Sequence, residues 1–348
     1  MGIPSLFSVE AWSATGAVSI FMFRRGILRA FAAGGDYIMR IRAILIYLSI
    51  ASLAAGVVWA APPAQIRTEV NLVNVFVTVR DRHKAIVPGL KQDDFQLNED
   101  GQPQEIGYFS AESNLPITLG LLIDTSGSEQ FLLGAEKDAG SRFLARLMHK
   151  GDLAMVMSFD VDIDLLADFS DDRAVLNRAI NRAQINVDSG GPLAQGPLPS
   201  SDSGGTNFYD AVYLACNQKL SGEAGRKAVV VLTDAEDTGS KLKLQDAVEA
   251  AQRSDAVVDI LLVAADGGDE GVARRLAEET GGRVIVVRSE RSLEKGFDEL
   301  IEELRNQYTL GYTSSNKKHD GTYRKIRIEM KNKDYSALAR RGYYAPNY

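Results

Sequence analysis

The sequence predicts an α/β protein in which a doubly wound, mainly parallel sheet is inserted into a small discontinuous β-sandwich. Between residues 114 and 307, apolar strand-like runs alternate with helical patterns, as is typical of a parallel sheet covered by helices. The segments on either side, 66–113 and 308–348, show the two-residue alternation of half-buried strands instead. Each of these segments alone is too short to bury a core, so we expect the two to pair in one sandwich.

The composition of the chain excludes several classes of protein. With 348 residues, 45% of them apolar and 24% charged, the chain is typical of a globular protein and unlike a disordered chain or a polytopic membrane protein. Its one cysteine, Cys216, cannot form an intrachain disulfide or a cysteine zinc site, and we expect it to be a buried small apolar residue. The net charge of −7 argues against nonspecific nucleic-acid binding, which needs a basic surface.

The start of the chain predicts a targeting segment. Met39 opens the sequence Met-Arg-Ile-Arg, and an apolar run follows at 43–60 with small residues at its end. This pattern is typical of a signal peptide over residues 39–61. A run of this length is also just long enough to span a bilayer, so a membrane tether through 43–60 is the alternative. We expect an exported protein of the periplasm, cell envelope or extracellular space, with residues 1–38 as an upstream extension.

The two flanking segments carry the strand pattern of the sandwich. Before the α/β region, valine occupies every second position of Val73–Val79, and a Glu-Asp-Gly turn follows at 99–101. After it, Tyr308–Thr313 reads as a strand, and every second residue of Ile326–Met330 is apolar. The alternative to one shared sandwich is a pair of separate β appendages, each packed on the α/β domain.

The α/β region, 114–307, is predicted element by element. We expect strands at Ile117–Ile123, Leu153–Phe159, Asp162–Phe169, Ala228–Leu232, Val257–Val263 and Arg283–Val287. Helices are expected from the end of the first strand to about 149 and near 172–184, 207–220, 242–254, 269–280 and 291–306. A loop rich in glycine, proline and serine is expected at 187–205.

Oxygen-bearing side chains lie at the ends of two predicted strands and directly before a predicted helix. Asp124, Ser126 and Ser128 come directly after the first strand, Thr206 precedes a helix, and Asp234 ends another strand. In an open parallel sheet these positions share one edge, where ligands bind. Five oxygen ligands with water suit a hard divalent cation, Mg²⁺ or Mn²⁺, and leave one exchangeable position. The alternative for each residue taken singly is a helix cap or a turn residue.

The set Asp-x-Ser-x-Ser, a later threonine and a final aspartate resembles a von Willebrand factor type A domain with a metal-ion-dependent adhesion site, or MIDAS. The resemblance covers residues 116–306 and implies that the five residues named above are the metal ligands. Two features depart from the family pattern. Ala235, followed by Glu236 and Asp237, stands where a glycine often follows the last aspartate, and Glu129 directly follows Ser128. The extra acids could ligate, attract cations or be solvated.

The flanks of the chain carry a second resemblance. Asp94-Phe95, the strand Tyr308–Thr313 and the ending Arg341-Gly-Tyr-Tyr-Ala-Pro346 are similar to bacterial VWFA-related proteins described from acidobacteria. That resemblance implies an exported bacterial protein.

The function predicted from these features is binding rather than catalysis. Neither common phosphate-binding glycine motif occurs, and His149 is expected at the far end of the helix that starts at the site. We therefore expect no enzyme. The expected function is divalent-cation-dependent protein–protein binding or adhesion, in which the acidic side chain of a protein partner completes the MIDAS. The alternative is a metal-assisted hydrolase that uses the same aspartate, serine and threonine residues.

Overall fold

The computed structural model describes residues 72–111, 115–185, 205–263 and 267–347. The predicted upstream extension, the signal peptide or tether, and all but the last residue of the predicted loop 187–205 lie outside these ranges. No helix within the described ranges has the length and apolarity needed to cross a membrane.

The described elements alternate as the sequence predicts. The strands are β1 Leu72–Arg80, β2 Phe95–Glu99, β3 Gln102–Gln104, β4 Ile106–Ser110, β5 Ile117–Asp124, β6 Leu153–Phe159, β7 Ile163–Ser170, β8 Arg226–Thr233, β9 Ala256–Val263, β10 Val284–Val287, β11 Tyr308–Thr313, β12 Tyr323–Met330, β13 Ser336–Leu338 and β14 Gly342–Tyr344. The α-helices are α1 Leu133–Leu147, α2 Arg173–Arg182, α3 Phe208–Tyr213, α4 Leu244–Arg253, α5 Glu270–Thr280 and α6 Glu290–Arg305.

Two predicted helices differ in detail from the structure. The helix expected to start at the site begins with a separate 3-10 turn, Gly127–Phe131, in which the Glu129 amide donates to the Ser126 carbonyl at 3.1 Å, and α1 follows. The helix expected over 207–220 is α-helical only in α3 and continues as the π-helical segment Leu214–Lys219. Cys216 lies in that segment and is fully buried, as predicted.

A six-stranded sheet forms the centre of the α/β region. Its strand order is β10-β9-β8-β5-β6-β7, and all neighbours pair in parallel except β6 and β7. Every residue of β5 is buried, as expected for a parallel strand covered on both faces. One apolar cluster joins the sheet to α1, α2 and α6, and a second joins its other face to α3, α4 and α5. The predicted doubly wound sheet is confirmed.

The two flanking segments pair with each other in two four-stranded sheets. One sheet has the order β13-β1-β11-β4 and the other β14-β12-β2-β3. β1 pairs antiparallel with β11, with Leu72 opposite Thr313, although more than two hundred residues separate them. The β2–β3 hairpin turns at Asp100 and Gly101, whose φ angles of 49° and 79° suit a two-residue primed turn. The predicted fold class, with its discontinuous sandwich, is confirmed, whereas the domain boundaries stay a prediction.

The sandwich joins the α/β region at the edge where the parallel strands begin. The chain enters at the start of β5 and leaves after the C-terminal end of α6, and both points lie opposite the edge at which β5 ends. Buried Glu303 of α6 accepts hydrogen bonds from Arg80 of β1 at 2.9 Å and from Arg283 at 2.5 Å. These ion pairs tie the sandwich to the sheet and leave the opposite edge free for a site.

Candidate metal centre

The loop after β5 is built around the carboxylate of Asp124. Asp124 is fully buried, and its Oδ1 accepts a hydrogen bond from the backbone amide of Ser126 at 2.9 Å. Its Oδ2 accepts a hydrogen bond from the hydroxyl of Thr233, at the end of the neighbouring strand β8, at 2.6 Å. The hydroxyl oxygens of Ser126 and Ser128 lie 3.0 Å apart. Three of the five predicted ligands therefore share one loop at the strand end.

Asp160 connects this loop to the segment that carries Thr206. The Thr125 hydroxyl donates to Asp160 Oδ2 at 3.0 Å, and the Asp160 carbonyl accepts from the Asn207 amide at 2.8 Å. Thr206 itself is buried, and its backbone carbonyl accepts from the amides of the loop after Asp234 at 3.1 and 3.2 Å. Backbone hydrogen bonds thus hold the predicted threonine ligand between the loops of the two aspartates.

Asp234 follows β8 and is buried close to Asp124. Its Oδ1 accepts the backbone amide of Glu236 at 3.0 Å. Ala235, the residue that departs from the family pattern, has a φ of 62° and no exposed surface. Alanine keeps here a left-handed conformation that glycine adopts at less cost. The turn that orients Asp234 is therefore retained without its usual glycine.

The structure brings a third carboxylate to the two aspartates. Oxygen atoms of Asp124, Glu129 and Asp234 all lie within 4.8 Å of one another. Glu129 is only 1% exposed, so the solvated alternative considered for it from the sequence is wrong. Its Oε2 accepts no hydrogen bond from an N–H or hydroxyl of the described residues.

A fourth buried acid, Glu136 on α1, lies against Glu129. Glu136 is also 1% exposed, and neither of its carboxyl oxygens accepts a hydrogen bond from an N–H or hydroxyl in the described part of the chain. Glu136 is not among the site residues predicted from the sequence. The sequence feature that indicates its burial is its position on the apolar face of α1. Glu136 lies three residues after Leu133 and seven before Phe143, and both of these residues are buried.

The electrostatics of this acidic group disfavour negative charge in the absence of a cation. The pKa of Asp124 is raised to about 6, mainly by burial; the hydrogen bonds from Ser126 and Thr233 oppose the rise, and the charge of Asp234 adds a smaller increase. Burial is also the main cause that raises the pKa of Glu129, followed by the charges of Glu136 and the two aspartates. Burial likewise raises the pKa of Glu136. Across the described ranges, no lysine or arginine forms an ion pair with any of these four acids.

The donor set fits a hard divalent cation. Carboxylate and hydroxyl oxygens are the ligands that Mg²⁺, Mn²⁺ and Ca²⁺ prefer. The buried Oε2 of Glu129, with no hydrogen-bond donor, is an orphan that a cation would satisfy. Gly127 and Ser128 are exposed, so the loop borders solvent on one side.

Comparison with known proteins agrees with this arrangement. Residues 119–236 match the family model described as the von Willebrand factor type A domain. Residues 119–236 are therefore similar to a von Willebrand factor type A domain. The match spans β5 to the residues just after Asp234, which is the part of the sheet that carries the acidic group. No curated protein matches the sequence significantly.

Solved structures with a similar fold share little sequence with this chain. Proximal thread matrix protein 1 from the mussel byssus is 14% identical, with a TM-score of 0.46, 64% of this chain covered and 51% of that chain. The chain therefore spans about half the length of the mussel protein. A von Willebrand factor type A protein from Catenulispora acidiphila is 15% identical, with a TM-score of 0.45 and 73% of both chains covered. The vWF domain of the type V pili tip protein Mfa5 from Porphyromonas gingivalis is 12% identical, with a TM-score of 0.40 and coverages of 55% and 95%.

Proposed function

We propose that this chain binds a partner protein through a divalent cation, Mg²⁺ or Mn²⁺, held by Asp124, Ser126, Ser128, Thr206 and Asp234. The observation that carries the proposal is the convergence of buried carboxylates at the end of β5 with no basic counter-charge in the described ranges. Burying like charges together is costly unless a cation compensates them. A site that keeps them is therefore built for a positive ligand.

The protein's own residues orient the donors before any ligand arrives. Thr233 and the Ser126 amide hold both oxygens of Asp124, which fixes the direction of its remaining lone pairs. Ser126 and Ser128 add neutral oxygens without further negative charge. When bound, the cation would supply one exchangeable position for the acidic side chain of a partner protein. The exposed backbone at Gly127 leaves that side of the loop accessible.

We further propose that the protein is exported and functions in the periplasm, the cell envelope or outside the cell. The support for this is the charged start and apolar run of residues 39–61 in the sequence. A binding module of this type with one accessible cation position suits adhesion or assembly among extracytoplasmic proteins.

Affinity capture tests the binding proposal. Full-length wild type and Asp124→Ala are immobilised and exposed to envelope and secreted proteins in Mg²⁺, then washed with EDTA. We expect a partner that stays on the wild type in Mg²⁺, elutes in EDTA and is missing from Asp124→Ala. Glu236→Gln is the matched control, because Glu236 is an exposed acid beside the site, and it should capture the same partner. Identical capture by all three proteins with and without EDTA would contradict the proposal.

A further inference from the structure

The acidic group at the end of β5 contains one carboxylate more than the five predicted ligands supply. We propose that Glu129 is a third carboxylate ligand of the cation, so that the chain itself occupies a coordination position that would otherwise be left to water or to a partner. This inference rests on the proposed function, because it requires a cation at Asp124.

The distances among the three carboxylates are close to those of a single coordination sphere. Two ligands of one cation cannot lie further apart than twice the metal–oxygen distance, about 4.2 Å for Mg²⁺ and about 5 Å for Ca²⁺. The oxygens of Asp124, Glu129 and Asp234 all lie within 4.8 Å of one another, a bound that is below the Ca²⁺ limit and less than 1 Å above the Mg²⁺ limit. Glu129 therefore needs no large movement to ligate together with the two aspartates.

The second, independent observation is the unsatisfied oxygen of Glu129. The side chain is buried with 1% exposure, and its Oε2 has no N–H or hydroxyl donor in the described ranges. Leaving such a group unpaired costs about 1–3 kcal/mol, and more when it is charged. The charges that act on it come from Glu136, Asp124 and Asp234, all acidic. A cation between Glu129 and the aspartates would satisfy the oxygen and cancel the repulsion.

The competing explanation is a carboxyl pair without metal. Glu129 and Glu136 lie within hydrogen-bond reach of each other, so the two could share a proton as a purely structural contact. The two explanations differ in what Glu129→Gln does. An amide at 129 can still donate to Glu136, so the structural contact survives, whereas an anionic ligand is lost.

Ligation by Glu129 changes which ligand a partner must displace from the cation. Affinity for a hard cation rises with the number of charged ligands, so the site should retain its cation in the absence of any partner. Three carboxylates already exceed the charge of a divalent cation. An acidic partner would therefore have to displace Glu129 rather than a water molecule, and this makes Glu129 an internal competitor of the partner.

Titration with Mn²⁺ alone tests the assignment, using full-length protein and electron paramagnetic resonance to count free Mn²⁺. We expect Glu129→Gln to bind Mn²⁺ at least tenfold more weakly than wild type and Asp124→Ala to show no binding. Glu236→Gln removes one exposed charge near Asp234 without touching the three-carboxylate group, and it should stay within threefold of wild type. Thermal unfolding of each variant in EDTA verifies that it is folded.

The outcomes separate this inference from the function on which it rests. Wild-type affinity in Glu129→Gln, together with no binding by Asp124→Ala, would overturn Glu129 as a ligand and leave the proposed function intact. Equal losses in Glu129→Gln and Glu236→Gln would also overturn it, because a general charge effect would then explain both. A wild type that binds no Mn²⁺ would overturn both proposals.

A crystal of the wild-type protein soaked in Mn²⁺ gives a readout that needs no variant. We expect an anomalous peak with an oxygen of Glu129 at about 2.2 Å, alongside Asp124. A water molecule in that position, with Glu129 turned toward Glu136, would refute the assignment.

Discussion

A buried glutamate of the β-sandwich, Glu99, and one of the α/β domain, Glu129, differ in whether the chain satisfies their carboxylates. In the sandwich, Glu99 is 2% exposed and accepts hydrogen bonds from the hydroxyls of Tyr312 at 2.7 Å, Tyr343 at 2.9 Å and Ser314 at 2.5 Å. The guanidinium of Arg324 lies 3.6 Å from the carboxylate and supplies the counter-charge. Every requirement of this buried charge is met by the chain.

Glu129 in the α/β domain is buried to the same degree but has acids as its charged neighbours. Burial alone therefore does not define the role of a carboxylate. A glutamate that the chain satisfies fully, such as Glu99, holds the fold together. A glutamate whose oxygen has no donor, at an edge bordering solvent, still needs a positive ligand. The chain does not provide one, so the ligand must come from outside it.

Replacing Glu99 by methionine should produce the largest effect. Methionine has a similar volume but leaves Arg324 without its counter-charge and the hydroxyls of Tyr312 and Tyr343 without their acceptor in the core of the sandwich. We expect a loss of about 3–5 kcal/mol in the free energy of unfolding, measured by urea denaturation in EDTA. A loss below about 1 kcal/mol would mean that the network is not a structural element, and the contrast with Glu129 would fail.

The same substitution at Glu129 should act in the opposite direction. Glu129→Met removes a buried carboxyl with an orphan oxygen and relieves the repulsion from Asp124 and Asp234. In EDTA, we expect the variant to be as stable as wild type or more stable, by up to about 1–3 kcal/mol. The same urea experiment measures it. A destabilisation comparable to that of Glu99→Met would show that both glutamates are structural.

The smallest expected effect concerns the turn that orients Asp234. The left-handed conformation of Ala235 costs about 1–2 kcal/mol, and Ala235→Gly removes this strain. Glycine also gains entropy in the unfolded chain, which offsets about 0.5–1 kcal/mol of the benefit. A net gain of roughly 0.5 kcal/mol is expected, with unchanged cation affinity. A marked loss of stability in thermal unfolding would indicate that packing of the Ala235 methyl group outweighs its backbone strain.

Much of the fold and part of the site can be predicted from the sequence, and the physical reasons are clear. Continuous apolar runs such as Ile117–Ile123 mark buried parallel strands, and Asp124 and Asp234 are readable because parallel strands end at one edge. The inward direction of Glu99 also follows from its two-residue spacing after Phe95 and Leu97. These features depend on local periodicity alone.

What could not be predicted depends on contacts between distant segments. The partners that satisfy Glu99 lie more than two hundred residues away, so the pattern of β2 reveals its direction but not its network. Glu129 follows an exposed serine, and local pattern places it in solvent. Its burial arises because the chain first makes a 3-10 turn and only then enters α1, which presents Glu136.

Calorimetric titration with Mg²⁺ and Mn²⁺ tests the central claim, a divalent cation held at Asp124, most directly. Wild type should bind one cation and gain stability by mass action, about 2.7 kcal/mol at a hundred times the dissociation constant. Asp124→Ala should lose both the binding and the gain while its cation-free fold is retained, and Thr206→Ala should bind more weakly. No binding by wild type, or equal binding by all three proteins, would contradict the account.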